Sequence, residues 1–206
     1  MTDHPAGDQA RMMDTEASKG VRAGLPDVIS ATRLSNSFLG NVIEVCFATE
    51  DCERTMAGMT RLGMGPWRVY TFDATTVEDR VLGGRPADWE LRVAFADVGG
   101  TTMEIMQPLR GSSIIRQFLD AHGEGIHHIA FDCENLAWDE RQREFADRGF
   151  PCSQAGRFAS GNSFAFFDTE TATTTTFETY RMPADFVWPP PDEWFPTRPH
   201  GTHLPT

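Results

Sequence analysis

The sequence predicts an α+β protein built from two tandem βαβββ modules. Three observations carry that expectation. The pattern of strand, helix, glycine and further strands occurs twice. Each repeat opens on an apolar strand with a polar residue on one face, Glu44 in the first and His128, beside His127, in the second, and each closes on a strand carrying one glutamate, Glu104 and Glu178. The offsets also agree: Glu44 to His128 is 84 residues and Gly63 to Gly149 is 86. Glu104 to Glu178 is 74, so the second repeat has the shorter middle.

In order, residues 1–39 are rich in Gly, Ala, Asp, Thr and Ser with weak periodicity and read as a flexible N-terminal arm. The first module spans 40–110. It opens with a strand over 42–49 and continues with a helix over 51–62, capped by Asp51, acidic at Glu53 and stopped by Gly63. Met56, Met59 and Leu62 recur at helical spacing and form its core face. The extra residues of this half fall in 73–89, a polar stretch with Gly83-Gly84 and Pro86. Trp67, Tyr70 and Phe72 read as sheet packing, with lining of a pocket as the alternative.

A linking helix within 111–124 starts at Ser112 or Ser113. It carries Ile114, Ile115, Phe118 and Leu119 on one face and ends near Gly123. The second module, 125–183, runs from a strand over 126–133 through a helix over about 135–148 and Gly149 to the Glu178 strand. Residues 184–206 form a tail whose Trp188, Pro189, Pro190 and Pro191 rule out helix. Its Trp188, Trp194 and Phe195 need a surface, either capping the cleft or reaching across a dimer.

Strand alternation sorts the polar residues. Ile126, His128 and Ala130 share one face, with His127 opposite as a structural or supporting residue. Val42, Glu44 and Cys46 share a face; Glu104 lies with Met106, and Glu178 with Tyr180. If the modules curve, all four polar positions look into one concavity. Converging buried carboxylates repel and protonate unless a cation joins them. Glu44, Glu104, His128 and Glu178 are therefore the candidate metal ligands. The oxygen-rich set suits Mn²⁺, Mg²⁺, Co²⁺, Fe²⁺ or Zn²⁺.

The strand motifs Gly125-Ile126-His127-His128-Ile129-Ala130-Phe131 and Met103-Glu104-Ile105-Met106-Gln107-Pro108-Leu109, with the linker Ser113-Ile114-Ile115-Arg116-Gln117-Phe118-Leu119, resemble the vicinal oxygen chelate superfamily. That superfamily includes glyoxalases, extradiol dioxygenases, bleomycin-resistance proteins and methylmalonyl-CoA epimerases, and the motifs are most similar to the epimerase-like branch. The resemblance runs from about Asn41 to Arg181. It implies a U-shaped mixed sheet around one divalent metal, and a homodimer. It also implies an enzyme using the metal as a Lewis acid, with proton transfer beside the carbonyl of a small carbonyl or thioester substrate. Glu44 departs from the family's usual His or Gln, so it is either a ligand or a free general base. Glu44 and Glu178 are the expected catalytic pair for an epimerase or isomerase.

Two alternatives stay open. One is a glyoxalase-type lyase or metal-dependent ring-cleaving dioxygenase, and the other is a non-catalytic binding protein of the resistance type. A single concave-face imidazole speaks against the dioxygenase, and four intact polar positions speak against the binding protein.

The net charge of −12 disfavours nucleic acid. No signal-type or membrane-spanning apolar run occurs, no glycine-rich loop precedes a helix to cradle phosphate, and Cys46, Cys52, Cys133 and Cys152 show no C-x-x-C spacing. The reading is a cytoplasmic protein with reduced, mostly structural thiols.

Overall fold

The structure, a computed structural model, describes residues 25–133 and 135–199. Two compact units divide the chain, Met1–Ser37 and Phe38–Thr206. Most of the expected N-terminal arm and the last seven residues of the tail lie outside the described residues. The described part of the first unit holds a short antiparallel hairpin of β1 (Val28–Ser30) and β2 (Arg33–Leu34).

Eleven strands are described in the second unit. These are β3 (Val42–Ala48), β4 (Trp67–Phe72), β5 (Val77–Leu82), β6 (Arg85–Pro86), β7 (Glu90–Val98) and β8 (Thr101–Arg110), then β9 (Gly125–Phe131), β10 (Cys152–Phe158), β11 (Ser163–Phe167), β12 (Thr176–Arg181) and β13 (Glu193–Phe195). Among the described residues these eleven form one mixed sheet in the order β13-β4-β7-β8-β3-β9-β12-β11-β10-β5-β6. The helices are α1 (Cys52–Thr60), α2 (Ile114–His122), α3 (Trp138–Asp147) and the single turn α4 (Glu170–Thr173). The α+β fold class is as expected.

The repeat is visible in the pairing. β3 lies parallel to β8 with Cys46 opposite Glu104, and β9 lies parallel to β12 with Ala130 opposite Glu178. Cys46 to Ala130 is again 84 residues, the same offset as Glu44 to His128. At the centre β3 and β9 run antiparallel, with Cys46 opposite His128. The four strands β8, β3, β9 and β12 are therefore neighbours, and each carries one of the four polar residues.

Helix ends follow local chemistry. Asp51 caps α1 by accepting from the Arg54 N–H at 2.9 Å, and Ser113 caps α2 by accepting from Arg116. In α3 no side chain serves as N-cap; instead Glu140 reaches back to accept from the Ala137 N–H. Glu124 ties the start of β9 to the end of β3, accepting from Thr49 Oγ1, the Glu50 N–H and Arg54. Met56 is buried and Met59 packs beside it, but Leu62 is 78 % exposed. It lies beyond the last helical turn, so helical spacing no longer aims it at the core.

Residues 73–89 are more structured than a polar loop. Val77 is buried, and β5 and β6 form a hairpin that joins the second module by pairing β5 with β10. Gly156 permits that approach, because a Cβ there would lie 2.6 Å from Val77 Cγ1 and 2.8 Å from Phe164 Cζ. At the other end of the sheet the tail packs on its own chain. β13 pairs with β4, the Tyr70 hydroxyl donates to the Pro189 carbonyl, and Asp192 accepts from the Thr71 N–H. Among the described residues no helix is long and apolar enough to cross a membrane.

Candidate metal centre

All four sequence-predicted residues meet. Glu44, Glu104, His128 and Glu178 are each no more than 4 % exposed, and their potential ligand atoms lie within 4.8 Å of one another. His128 Nε2 lies 3.0 Å from Glu104 Oε2, 3.1 Å from Glu178 Oε2 and 3.8 Å from Glu44 Oε1. Despite those distances, His128 Nε2, Glu104 Oε2 and Glu178 Oε2 have no hydrogen-bond partner of acceptable geometry. Buried polar atoms normally find partners, so three orphans aimed at one point suit a cation. Bonds of about 2.1 Å to a divalent ion place its ligands roughly 3–4 Å apart, as these are.

Without a cation the carboxyls resist ionisation. Burial foremost pushes Glu44 up to about 7, and Glu178 adds to the rise while His128 opposes it. Glu104 also rises to about 7, through burial and then the charge of Glu44. Burial likewise raises Glu178. For His128 burial favours the neutral ring, but Cys46, Glu178 and Glu104 together outweigh it and hold the imidazole well above its usual range.

His127 behaves as a supporting residue. Its Nδ1 lies 2.8 Å from His128 Nδ1, so one ring donates and the other accepts, and Nε2 of His128 is left facing the carboxyls. Burial first, then His128, holds His127 well below the ordinary imidazole range, which keeps it neutral.

Cys46 is the residue that sequence reasoning passed over. All four cysteines are free, but the Cys46 thiol lies with Glu104 and His128 within ligand distance and is wholly buried. Burial holds it well above the ordinary thiol range, so it stays protonated in the absence of a cation. The signal was its place two residues after Glu44, on the same strand face.

Glu44, Glu104 and Glu178 of the cluster line a cavity of about 190 Å³. Phe72, Phe95, Phe164, Phe166, Trp89 and Trp188 supply aromatic walls, and an Arg68–Asp97 ion pair borders it. Within β4, alternation sends Phe72 towards the cavity while Trp67 packs with Met56 and Ile105. Tyr180, held above the usual phenol range by burial, also lines it and keeps its proton.

Residues 44–166, more than half of the chain, match the family model described as the glyoxalase/bleomycin resistance protein/dioxygenase superfamily. The chain belongs to that superfamily. Among curated proteins, the uncharacterized protein YqjC of Bacillus subtilis is 40 % identical over 71 residues; the match covers 32 % of this chain and about half, 51 %, of YqjC. A hypothetical protein from Bacillus halodurans has a similar structure, with TM-score 0.54 and 20 % identity over 71 % of this chain and 97 % of its own. Methylmalonyl-CoA epimerase from Mycobacterium tuberculosis gives TM-score 0.52 and 21 % identity, covering 74 % and 95 % of the two chains. A variant of the Streptomyces coelicolor epimerase bound to 2-nitronate-propionyl-CoA gives 0.53 and 19 %, covering 71 % and 96 %. At these identities the solved structures establish a shared fold. The superfamily supports several chemistries on it.

Proposed function

We propose that this chain is a divalent-metal-dependent enzyme that moves a proton on the carbon beside a carbonyl, as an epimerase or isomerase does. The observation that carries this reading is the convergence of three buried carboxyls and one imidazole, with carboxyls contributed by both modules. Glu104, His128 and Glu178 carry the three unpartnered atoms; Glu104 and His128 would mainly hold the ion, with Glu178, Glu44 and the Cys46 thiol beside them. The donor set, oxygen-rich with one imidazole, suits Mn²⁺, Co²⁺, Mg²⁺, Fe²⁺ or Zn²⁺. A bound divalent ion supplies Lewis-acid polarisation of the substrate carbonyl.

The chain's own residues do the rest. Glu44 stands farthest from His128 Nε2, which leaves its carboxyl the freest of the three to take and return a proton. Glu178, from the other module, faces the same space and can serve the opposite side of the carbon. One carboxylate accepts the proton while the other, protonated, delivers one, so the pair exchanges roles after each turnover. The aromatic walls exclude water and orient an apolar substituent. The epimerase fold neighbours agree with this chemistry.

Solvent exchange tests the reading. Mn²⁺- or Co²⁺-loaded protein is incubated in D₂O with phenylpyruvate and with methylmalonyl-CoA, and deuterium at the carbon beside the carbonyl is followed by NMR. Metal-dependent exchange of either compound is expected, falling roughly 10²- to 10⁴-fold in Glu44→Gln. Exchange of neither compound, or full exchange in both Glu44→Gln and Glu178→Gln, overturns the proposal.

A further inference from the structure

Three side chains that line the cavity carry a donor without an acceptor, and none sits on the four strands that carry the cluster: Arg68, whose guanidinium is already paired with Asp97 through Nη2, and the uncharged Gln154 and Trp89. Gln154, on β10, is wholly buried and lines the cavity. Its Oε1 accepts the Ile114 N–H at 3.1 Å. A backbone N–H can only donate, so that bond fixes which end of the amide is oxygen. The two hydrogens on Nε2 are left without any partner.

Trp89, just before β7, is also wholly buried and lines the same cavity, and its indole Nε1–H is unpartnered too. Its ring is well held. The Arg80 guanidinium sits 5.5 Å from the ring centroid and donates to the Trp89 carbonyl, while Phe164 packs against the indole with centroids 6.2 Å apart. Both groups are donor-only at the free atom. Carboxyl oxygens at the metal centre do not satisfy them, since Glu104 Oε2 and Glu178 Oε2 are themselves unpartnered.

A buried donor without an acceptor costs free energy that a ligand oxygen recovers on binding. We infer that Gln154 and Trp89 form an acceptor-reading subsite for the substrate. The ligand class it selects is a carbonyl compound with an aromatic or bulky apolar body and a second, acceptor-only oxygen, such as a ketone or carboxylate, remote from the reacting carbonyl. The inference rests on the proton-transfer reading only for the carbonyl head group; the subsite itself is a matter of binding. Sites built to hydrogen-bond a substrate group discriminate strongly against analogues that lack it, because the protein's donors then stay unpaired.

Matched probes test this. Dissociation constants of the metal-loaded full chain are measured by calorimetry for 3- and 4-acetylphenylpyruvate and for their 3- and 4-isopropyl counterparts. The pairs have similar shape, and only the acetyl members carry the acceptor. At least one acetyl compound is expected to bind roughly tenfold or more tighter than its isopropyl partner.

Trp89→Phe keeps the aromatic wall without the N–H. Gln154→Met keeps the length of the side chain, leaves a weak sulfur acceptor near Ile114 and removes the donors. Each is expected to reduce the acetyl preference by roughly tenfold while leaving isopropyl affinity within about twofold. Equal affinities within both pairs, no binding by any of the four, or variants that weaken both members equally overturn the inference. Absence of deuterium exchange in the same compounds would remove the proton-transfer reading and leave the affinity ratio standing, so the two failures are distinguishable.

Discussion

Glu44→Gln should make the metal-free protein more stable at alkaline pH, although it damages the site. In the folded chain burial lifts the Glu44 carboxyl from 4.5 to about 7. At 1.36 kcal/mol per pH unit that rise corresponds to about 3 kcal/mol. Because the folded value lies above the unfolded one, the protonated carboxyl contributes stability that is complete below pH 4.5. That stability is lost as pH rises through about 7. Glu104, raised by burial and then by the charge on Glu44, loses stability in the same direction and the same window. A glutamine has no charge to bury.

The assay is urea unfolding in chelator, followed through the five tryptophans. At pH 5 the wild type and the variant are expected to agree within about 1 kcal/mol, and at pH 8.5 the variant should be ahead by about 3 kcal/mol. Saturating Mn²⁺ should erase the advantage, since a cation compensates the carboxylates of the wild type and gains less from the variant. A variant that is less stable at pH 8.5 than wild type in chelator, or a difference that does not change with pH, refutes the electrostatic reasoning.

Other consequences are as direct. Glu104→Gln and His128→Asn each remove a group whose free atom points at the proposed ion, and calorimetric metal titration should show at least a hundredfold weaker binding, on the order of 3 kcal/mol; unchanged affinity in either would exclude that residue. His127→Phe leaves His128 Nδ1 unpaired, so metal affinity should fall about 10- to 100-fold with the fold intact by circular dichroism. Ending the chain after Met182 removes Trp188 from Tyr70 and Phe95 and β13 from the β4 edge. Unfolding in urea should then shift by about 2 kcal/mol or more, with KM rising more than kcat falls. A truncated protein with unchanged stability and KM would deny the tail any part in the cavity.

Much of this site was legible because strand alternation is a strict geometric rule. Glu44, Glu104, His128 and Glu178 each stood as the one ionisable carboxyl or imidazole on its face of a strand, at repeat-related positions, and burying that face forces them inward together. The helix limits were legible too, since Asp51, Ser113, Gly63 and Gly149 act on their own backbone neighbourhood. What alternation could not supply was which strand lies beside which. Opposition of Cys46 to Glu104 and His128 depends on pairings across the sheet, so a thiol that looked structural sits in the buried cluster. For the same reason residues 73–89 read as a polar loop: the burial of Val77 and the pairing of β5 come from a partner strand seventy-odd residues away. Gln154 and Trp89 gave no sequence signal, because an unpaired donor is defined only by what fails to surround it.

The central claim is that Glu44, Glu104, His128 and Glu178 bind one divalent cation. It is tested most directly by titrating chelator-stripped protein with Co²⁺ or Mn²⁺ calorimetrically, in buffers of different ionisation enthalpy between pH 6 and 8. Saturation at one equivalent is expected, with proton release that diminishes as pH rises through about 7, where Glu44 and Glu104 ionise unaided. No saturable binding, or binding with the same stoichiometry and proton release in Glu104→Gln, would contradict it.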